Sequence, residues 1–340
     1  MKRHIIKMSL CVAIAMFSVA MPAQNSKVTK KLAYWGSPDT YLNTQASVML
    51  DYVDETLTAN PPTTSFSPIR KMALYNLDVI LHETKYDNSE ALRNYIFSRT
   101  KSVINDLSKP IKSGMRIYKI YNDGFIVRTK TATVAFDLCG RLGTVIPDSL
   151  MEVIVDKCDV MFITHNHDDH ADKNVVSMFV KMGKTVYAPT NFWEGNNAIK
   201  HVRSEEIIDK TVSLKTAKIQ VKIFPGHQDE LMDNNYVVTF PEGFKVAHTG
   251  DQYNEKDMAW IKNVNKQVPS LDVLIVECWI SKMNEVIAGF NPKVILTGHE
   301  NEMGHSIDHR EAFWLTYYKM EKVTKPYVIM SWGEWYNYKK

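Results

Sequence analysis

The sequence predicts an α/β protein with two sheets covered by helices and a helical segment ahead of them. Three features carry that prediction: apolar residues at helical spacing from Thr44 to Leu107, strand-like patterning from Met115 onward, and a run of chelating side chains directly after one strand.

In the helical segment, Ser67 followed by Pro68 reads as an N-cap with proline at the first helical position. Ile69, Met72, Ala73, Leu77, Ile80 and Leu81 then recur on one face. A further helix starts near Asn88-Ser89, uses Leu92, Ile96, Val103 and Leu107, and ends before Lys109-Pro110. Past Ser113-Gly114 the pattern changes to strands. Met115 to Tyr121 and Phe125 to Thr129 are joined at Asn122-Asp123-Gly124, a hairpin signal. Strands follow near Thr133, Val160, Thr185, Val212, Ile219, Val237, Val246, Val273, Val294 and Val328, alternating with helical segments near Lys173, Glu255 and Arg310. The organisation expected is a leader over residues 1–23, a helical extension over 24–110 and an α/β domain over 111–340.

The apolar run Val160 to Ile163 leads into Thr164-His165-Asn166-His167-Asp168-Asp169-His170, so His165, His167, Asp169 and His170 stand at the spacing HxHxDH. In an irregular turn after a strand, alternate side chains no longer face opposite ways. His165 and His167 can then reach one cation while Asp169 and His170 reach a second. Imidazole and carboxylate together suit zinc and its first-row neighbours. Further candidate ligands also follow apolar strands: His227 after Lys222 to Gly226, Asp251 after Lys245 to Gly250, and His299 after Val294 to Gly298. Each has glycine immediately before it, which allows a sharp exit of the backbone.

This ordered set resembles the metallo-β-lactamase superfamily of metal-dependent hydrolases, over roughly residues 115 to 335. The resemblance implies a four-layer α/β/β/α sandwich behind the N-terminal helical extension. It implies that His165, His167 and His227 bind a first metal, that Asp169, His170 and His299 bind a second, and that Asp251 lies between them. Asp137, at the end of Val134-Ala135-Phe136, would support the His-rich loop without binding metal. The presence of Asp251, with both Asp169 and His170, resembles the lactonase, thioesterase and phosphodiesterase branches more than the β-lactamases. The strands from Lys218 to Asp251 look most like the branch containing the ascorbate-6-phosphate lactonase. Val276-Glu277-Cys278-Trp279 stands where ribonuclease Z relatives carry a His-Glu-Ala-Thr motif, which disfavours tRNA processing.

The chemistry expected is hydrolysis of an ester, lactone or phosphodiester. Two divalent ions, zinc first with manganese and iron also compatible with the donors, would acidify a shared water into a bridging hydroxide, and Asp169 or Asp251 would relay its proton. His248 is either an orienting donor or a buried strand histidine. His305 and His309, four apart, would share one face of an early-starting helix, and Trp193, Trp279, Trp332 and Trp335 are candidates to wall the pocket. Two alternatives remain open on these residues: a mononuclear iron oxygenase acting on thiols, and a non-catalytic metal-binding scaffold.

Lys2, Arg3 and Lys7 followed by the apolar Ser9 to Ala20 read as a secretory signal, cleaved after Ala20 or Ala23, which places the mature chain in the periplasm or outside the cell. The apolar stretch is shorter than the roughly 20 residues a bilayer requires, so no stable membrane span is expected after cleavage. The formal net charge of +3 is carried by those three basic residues. A near-neutral mature chain has no global field for nucleic acid, and the expected partner is a small-molecule substrate. Cys139, Cys158 and Cys278 each adjoin an apolar segment and are expected as buried free thiols. Cys11 falls inside the leader.

Overall fold

The computed structural model describes residues 38–340 apart from 203, 204, 253 and 281. The expected leader and its Cys11 lie outside the described residues. Contacts divide the chain into Met1–Tyr41 and Leu42–Lys340; in the first unit only the start of a helix is described, and everything below concerns the second.

Helix α1 runs Pro38–Ala59, α2 Pro68–Leu81 and α3 Glu90–Leu107. Ser67 caps α2, its Oγ accepting from the Arg70 backbone N–H, and proline fills the first position as expected. Ser89 caps α3 in the same way through Leu92. The inward face of α2 differs from the expected one. Ala73, Leu77, Ile80 and Leu81 are buried, but Ile69 and Met72 are 56% and 54% exposed, and Arg70 points inward instead. The reason is electrostatic: its guanidinium forms a two-pronged pair with Glu334, at 2.8 Å on each side, and also donates to the carbonyls of Asn60 and Ile329.

After α3 the chain builds the first sheet from β1 (Met115–Tyr121), β2 (Gly124–Arg128), β3 (Thr133–Phe136), β4 (Val160–Phe162), β5 (Thr185–Pro189) and β6 (Ile199–Val202). Between these strands lie α4 (Asp148–Lys157) and α5 (Lys173–Lys181). The second sheet comprises β7 (Ile208–Ser213), β8 (Lys218–Gln228), β9 (Leu231–Thr239), β10 (Lys245–His248), β11 (Val273–Glu277), β12 (Val294–Gly298) and β13 (Tyr327–Val328). Its helices are the short α6 (Met258–Ile261) and α7 (Val264–Gln267), then α8 (Met283–Phe290) and α9 (Phe313–Met320); the last strand, β14 (Glu334–Tyr338), returns to the first sheet. The strand orders are β14-β1-β2-β3-β4-β5-β6 and β13-β12-β11-β10-β9-β8-β7. The expected strands and the Asn122-Asp123 hairpin turn are present, while β6, β14, α4 and α8 were not foreseen.

Strand alternation sorts the core into layers. Phe125, Val127, Val273 and Ile275 join one apolar cluster drawn from both sheets, whereas Ile126, Leu274 and Val276 join a second that includes Ile154, Val175, Ile261 and Val286 from the helices. This is the mixed α/β arrangement expected, with sheet facing sheet and helices on the outer faces.

The parallel strands set the position of the site. β3, β4 and β5 run parallel, as do β10, β11 and β12. Their C-terminal ends are followed by Asp137, His165, Asp251 and His299, so one end of both sheets collects the polar groups. Cys139, Cys158 and Cys278 are free and buried, as expected. Among the described residues, no helix is long and apolar enough to cross a membrane. Removing one partner of the buried Arg70–Glu334 pair leaves an uncompensated charge, so Glu334→Gln should lower unfolding stability by about 3–5 kcal/mol, measured as a reduced midpoint in urea.

Candidate metal centre

The turn after β4 is anchored by Asp137, whose backbone sits at φ 43° at the end of β3. Its carboxylate accepts from the Thr164 backbone N–H at 2.8 Å, from Thr164 Oγ1 at 2.6 Å and from His170 Nδ1 at 2.9 Å. Because the Thr164 hydroxyl proton goes to Asp137, His165 Nδ1–H is the donor in its 3.0 Å contact with Thr164 Oγ1. His299 Nδ1 likewise faces Glu311 Oε2 at 3.4 Å. All three rings are held by Nδ1 and present Nε2 to a common space, the tautomer that a metal-ligating histidine takes.

In that space His170 Nε2 is 3.3 Å from Asp251 Oδ1 and 3.4 Å from Asp169 Oδ2. His299 Nε2 is 3.2 Å from Asp169 Oδ2 and 3.5 Å from Asp251 Oδ2, and His165 Nε2 is 3.6 Å from Asp251 Oδ2. Metal–ligand bonds of about 2.0–2.1 Å in tetrahedral geometry put neighbouring donors roughly 3.3 Å apart, so these spacings fit shared cations. His170 Nε2 and Asp251 Oδ1 are buried without a hydrogen-bond partner among the described residues, which a cation would satisfy. Two compact ligand groups result, His165–His170–Asp251 and Asp169–His170–His299.

His167 joins the set through its Nδ1, 3.1 Å from His165 Nε2, and is exposed. His227 is in neither compact group, but its neighbour Gln228 donates to Asp251 Oδ2 at 3.2 Å. It lies within β8 rather than past its end, opposite Met232 in the long β8–β9 hairpin. Its Nδ1 is 3.2 Å from both oxygens of Asp257, which leaves Nε2 as the lone-pair nitrogen. Exposed His167 and half-exposed His227 mark the solvent side; His165, His170, Asp251 and His299 form the buried floor.

The electrostatics follow from burial. Burial opposes charge on His170 and His299, but Asp251, Asp169 and their other acidic partners outweigh it and hold both imidazoles well above the usual range. Asp169, despite burial, is held well below the carboxylate range by His170 and His299. Burial, reinforced by His170 and His167, drives His165 well down. Without metal, protons on His170 and His299 supply the positive charge that the carboxylates demand.

Several positioning residues were not foreseen. Asn122, at φ 50° in the first hairpin turn, donates from Nδ2 to Asp169 Oδ2 at 2.9 Å, and its carbonyl accepts from the His299 N–H. Asp123 lies beneath Gly298; a Cβ there would meet Asp123 Oδ1 at 1.7 Å, so this glycine is needed for close approach. The sharp exit expected at Gly298 is made by His299 itself, at φ 69°. Gly250 does take a left-handed turn, at φ 53°. Burial pushes the Asp123 carboxyl up to about 6 and raises Asp233 and Glu277 well above their ordinary values.

Asp123, Asp137 and His248 also cluster closely enough to suggest a ligand set. His248 has no lone pair to spare: Nδ1 accepts from the Gly250 N–H at 3.1 Å and Nε2–H donates to the Asp123 carbonyl at 3.0 Å. It is therefore a buried strand histidine that also shapes the Asp251 loop. His305 and His309 do not share a helix face, because α9 begins only at Phe313; His305 instead brings its ring centroid 5.5 Å from that of His299. Of the four tryptophans, Trp279 adjoins a candidate ligand, 6.1 Å from the His299 ring, while Trp332 packs on Tyr121 and Trp335 on Tyr118. Trp193 packs on Phe192.

No family model matches the chain, and no curated protein matches it. Among solved structures, a metallo hydrolase from the hyperthermophilic archaeon Ignicoccus hospitalis is similar over 67% of this chain and 100% of its own, at 15% identity and a TM-score of 0.48. The diiron β-hydroxylase CmlA from Streptomyces venezuelae is similar over 68% of this chain and 55% of its own, at 13% identity and a TM-score of 0.46. The metallo-β-lactamase IND-7 is similar over 59% of this chain and 94% of its own, at 21% identity and a TM-score of 0.33.

If Asn122 orients Asp169 as its hydrogen bond indicates, Asn122→Ala should weaken divalent-metal affinity by about 10–100-fold in chelator competition, with the circular dichroism spectrum retained.

Proposed function

We propose that the chain is a dinuclear metal-dependent hydrolase acting on an ester, lactone or phosphodiester. The observation that carries the reading is the Asp251 carboxylate, whose two oxygens face His170 on one side and His165 and His299 on the other. A carboxylate so placed fits between two cations. His165, His167 and His227 would hold the first, Asp169, His170 and His299 the second, and Asp251 would contact both. When bound, such a pair of ions acidifies a water and polarises the substrate oxygen, with zinc, manganese and iron all compatible with the donors.

The chain's own groups do the rest. Asp137, Glu311 and Asp257 fix the tautomers of His170, His299 and His227. Asp251 and Asp169 are the carboxylates placed to take up and pass on a proton. Trp279 supplies an apolar wall beside His299 and limits access of bulk water. His305, whose ring centroid lies 5.5 Å from that of His299, is the group to which we assign protonation of the leaving group. Export to the periplasm or beyond belongs to the same proposal and rests on the leader sequence.

Metal analysis of the purified protein should find close to two ions per chain. Asp251→Ala should cut hydrolysis of activated esters or phosphodiesters by roughly a thousand-fold or more, about 4 kcal/mol of transition-state stabilisation. Full activity in metal-free protein would overturn the reading.

A further inference from the structure

The loops beside the centre enclose a second feature. A cavity of about 270 Å³ lies between the first turns of α3, the loop at Arg141–Val145 and the loop at Met303–Gly304. Small-molecule pockets usually occupy about 300–1,000 Å³, so this one suits a small group carried by a ligand rather than a whole large molecule.

Its wall is cationic. Arg93 projects from the exposed side of α3, donates to the Asn88 carbonyl oxygen and has no acidic partner among the described residues. Arg141 Nε is 3.3 Å from Glu302 Oε1, an oxygen that also accepts from the Tyr121 hydroxyl at 2.9 Å. Asp87, the acidic group in the wall, is taken by both Nη atoms of Arg310 at 3.0 Å each. The charged groups that line the pocket are thus two guanidinium groups, Arg93 and Arg141, and one carboxylate, Asp87, which Arg310 already pairs.

The arginine is also preorganised. Asp172 Oδ2 accepts the N–H groups of Gly140 and Leu142, each at 3.0 Å, and holds Arg141 and Leu142 at φ 53° and 52°. The Arg141 guanidinium closely approaches Gly304, where a Cβ would meet Nη2 at 1.7 Å. A fixed planar fork beside an unpaired one is suited to an oxyanion such as carboxylate or phosphate.

Two loops that line the pocket are followed or preceded in the chain by residues at the metal centre. Gly304 precedes His305, which packs beside His299, and Cys139 Sγ, two residues before Arg141, lies 3.5 Å from the Asp168 carbonyl oxygen. We propose that this cavity is an oxyanion pocket that takes a carboxylate or phosphate group carried by the substrate; this rests on the reading of the neighbouring centre as a hydrolase.

The test uses the metal-loaded full chain. Inorganic phosphate is titrated calorimetrically into wild type, Arg93→Ala and Arg93→Lys, and KM is compared for a neutral ester, 4-nitrophenyl butyrate, and an anionic one, mono-4-nitrophenyl glutarate. Arg93 is exposed, so these variants keep the fold. The expected results are a phosphate site weakened roughly ten-fold in Arg93→Ala and partly restored in Arg93→Lys, and a wild-type KM roughly ten-fold lower for the anionic ester, a preference that Arg93→Ala removes. Identical phosphate isotherms in all three proteins would overturn the pocket, as would equal KM for the two esters. Arg93-dependent phosphate binding in a metal-loaded chain that hydrolyses neither ester, nor an activated lactone or phosphodiester, would uphold the pocket and remove the hydrolase reading.

Discussion

Everything at the polar end of this molecule answers to one constraint, the concentration of negative charge away from water. Asp123, Asp137, Asp169, Asp233, Asp251 and Glu277 are all buried there. Removing a carboxylate from water costs several kcal/mol unless it is paired, so each needs compensation. Asp137 obtains it from an N–H, a hydroxyl and an imidazole. Asp123, Asp233 and Glu277 are pushed toward their neutral forms by burial. Asp169 and Asp251 are left facing imidazole nitrogens, and these two are the carboxylates that a bound cation would serve. Metal binding in this reading completes the charge balance of the fold as well as supplying the chemistry.

The backbone shares in this arrangement. Asn122, Asp137 and His299 all hold left-handed conformations, and each contributes to the contacts around the centre. Non-glycine residues in that region cost energy that the surroundings must offset. Here the offset is visible in hydrogen bonds: the His299 N–H donates to the Asn122 carbonyl, and the Asp137 carboxylate accepts from Thr164 and His170.

Legibility in the sequence followed chain locality. His165, His167, Asp169 and His170 were readable because six consecutive residues hold them, and Asp251 and His299 because each follows a short apolar run. Their partners were not. Asn122 meets Asp169 across 47 positions and Asp257 meets His227 across 30, contacts created only by sheet assembly. His227 was expected past a strand end, but the apolar run that suggested the end continues as a β-hairpin with β9. The strands were legible from alternation, whereas α4 and α8, of 10 and 8 residues, were too short to show a repeated stripe. On α2 the periodicity was right and the choice of face partly wrong, because hydrophobic pattern alone cannot foresee an arginine drawn inward by Glu334.

That glutamate also bears on the order in which the chain acquires its structure. Glu334 on β14 binds Arg70 from 264 positions away and lies 3.7 Å from Arg99, which in turn pairs with Asp54. Helices α1, α2 and α3 thus precede in the chain, by more than 200 positions, the carboxylate that fastens Arg70 and Arg99. Contacts of such separation form late because closing the intervening chain costs entropy before any contact repays it. The helical segment is thus held in two ways: locally, where Asp106 of α3 accepts from Arg116 and Tyr118 of β1, and at long range, where Glu334 gathers Arg70 and Arg99 only once β14 pairs with β1.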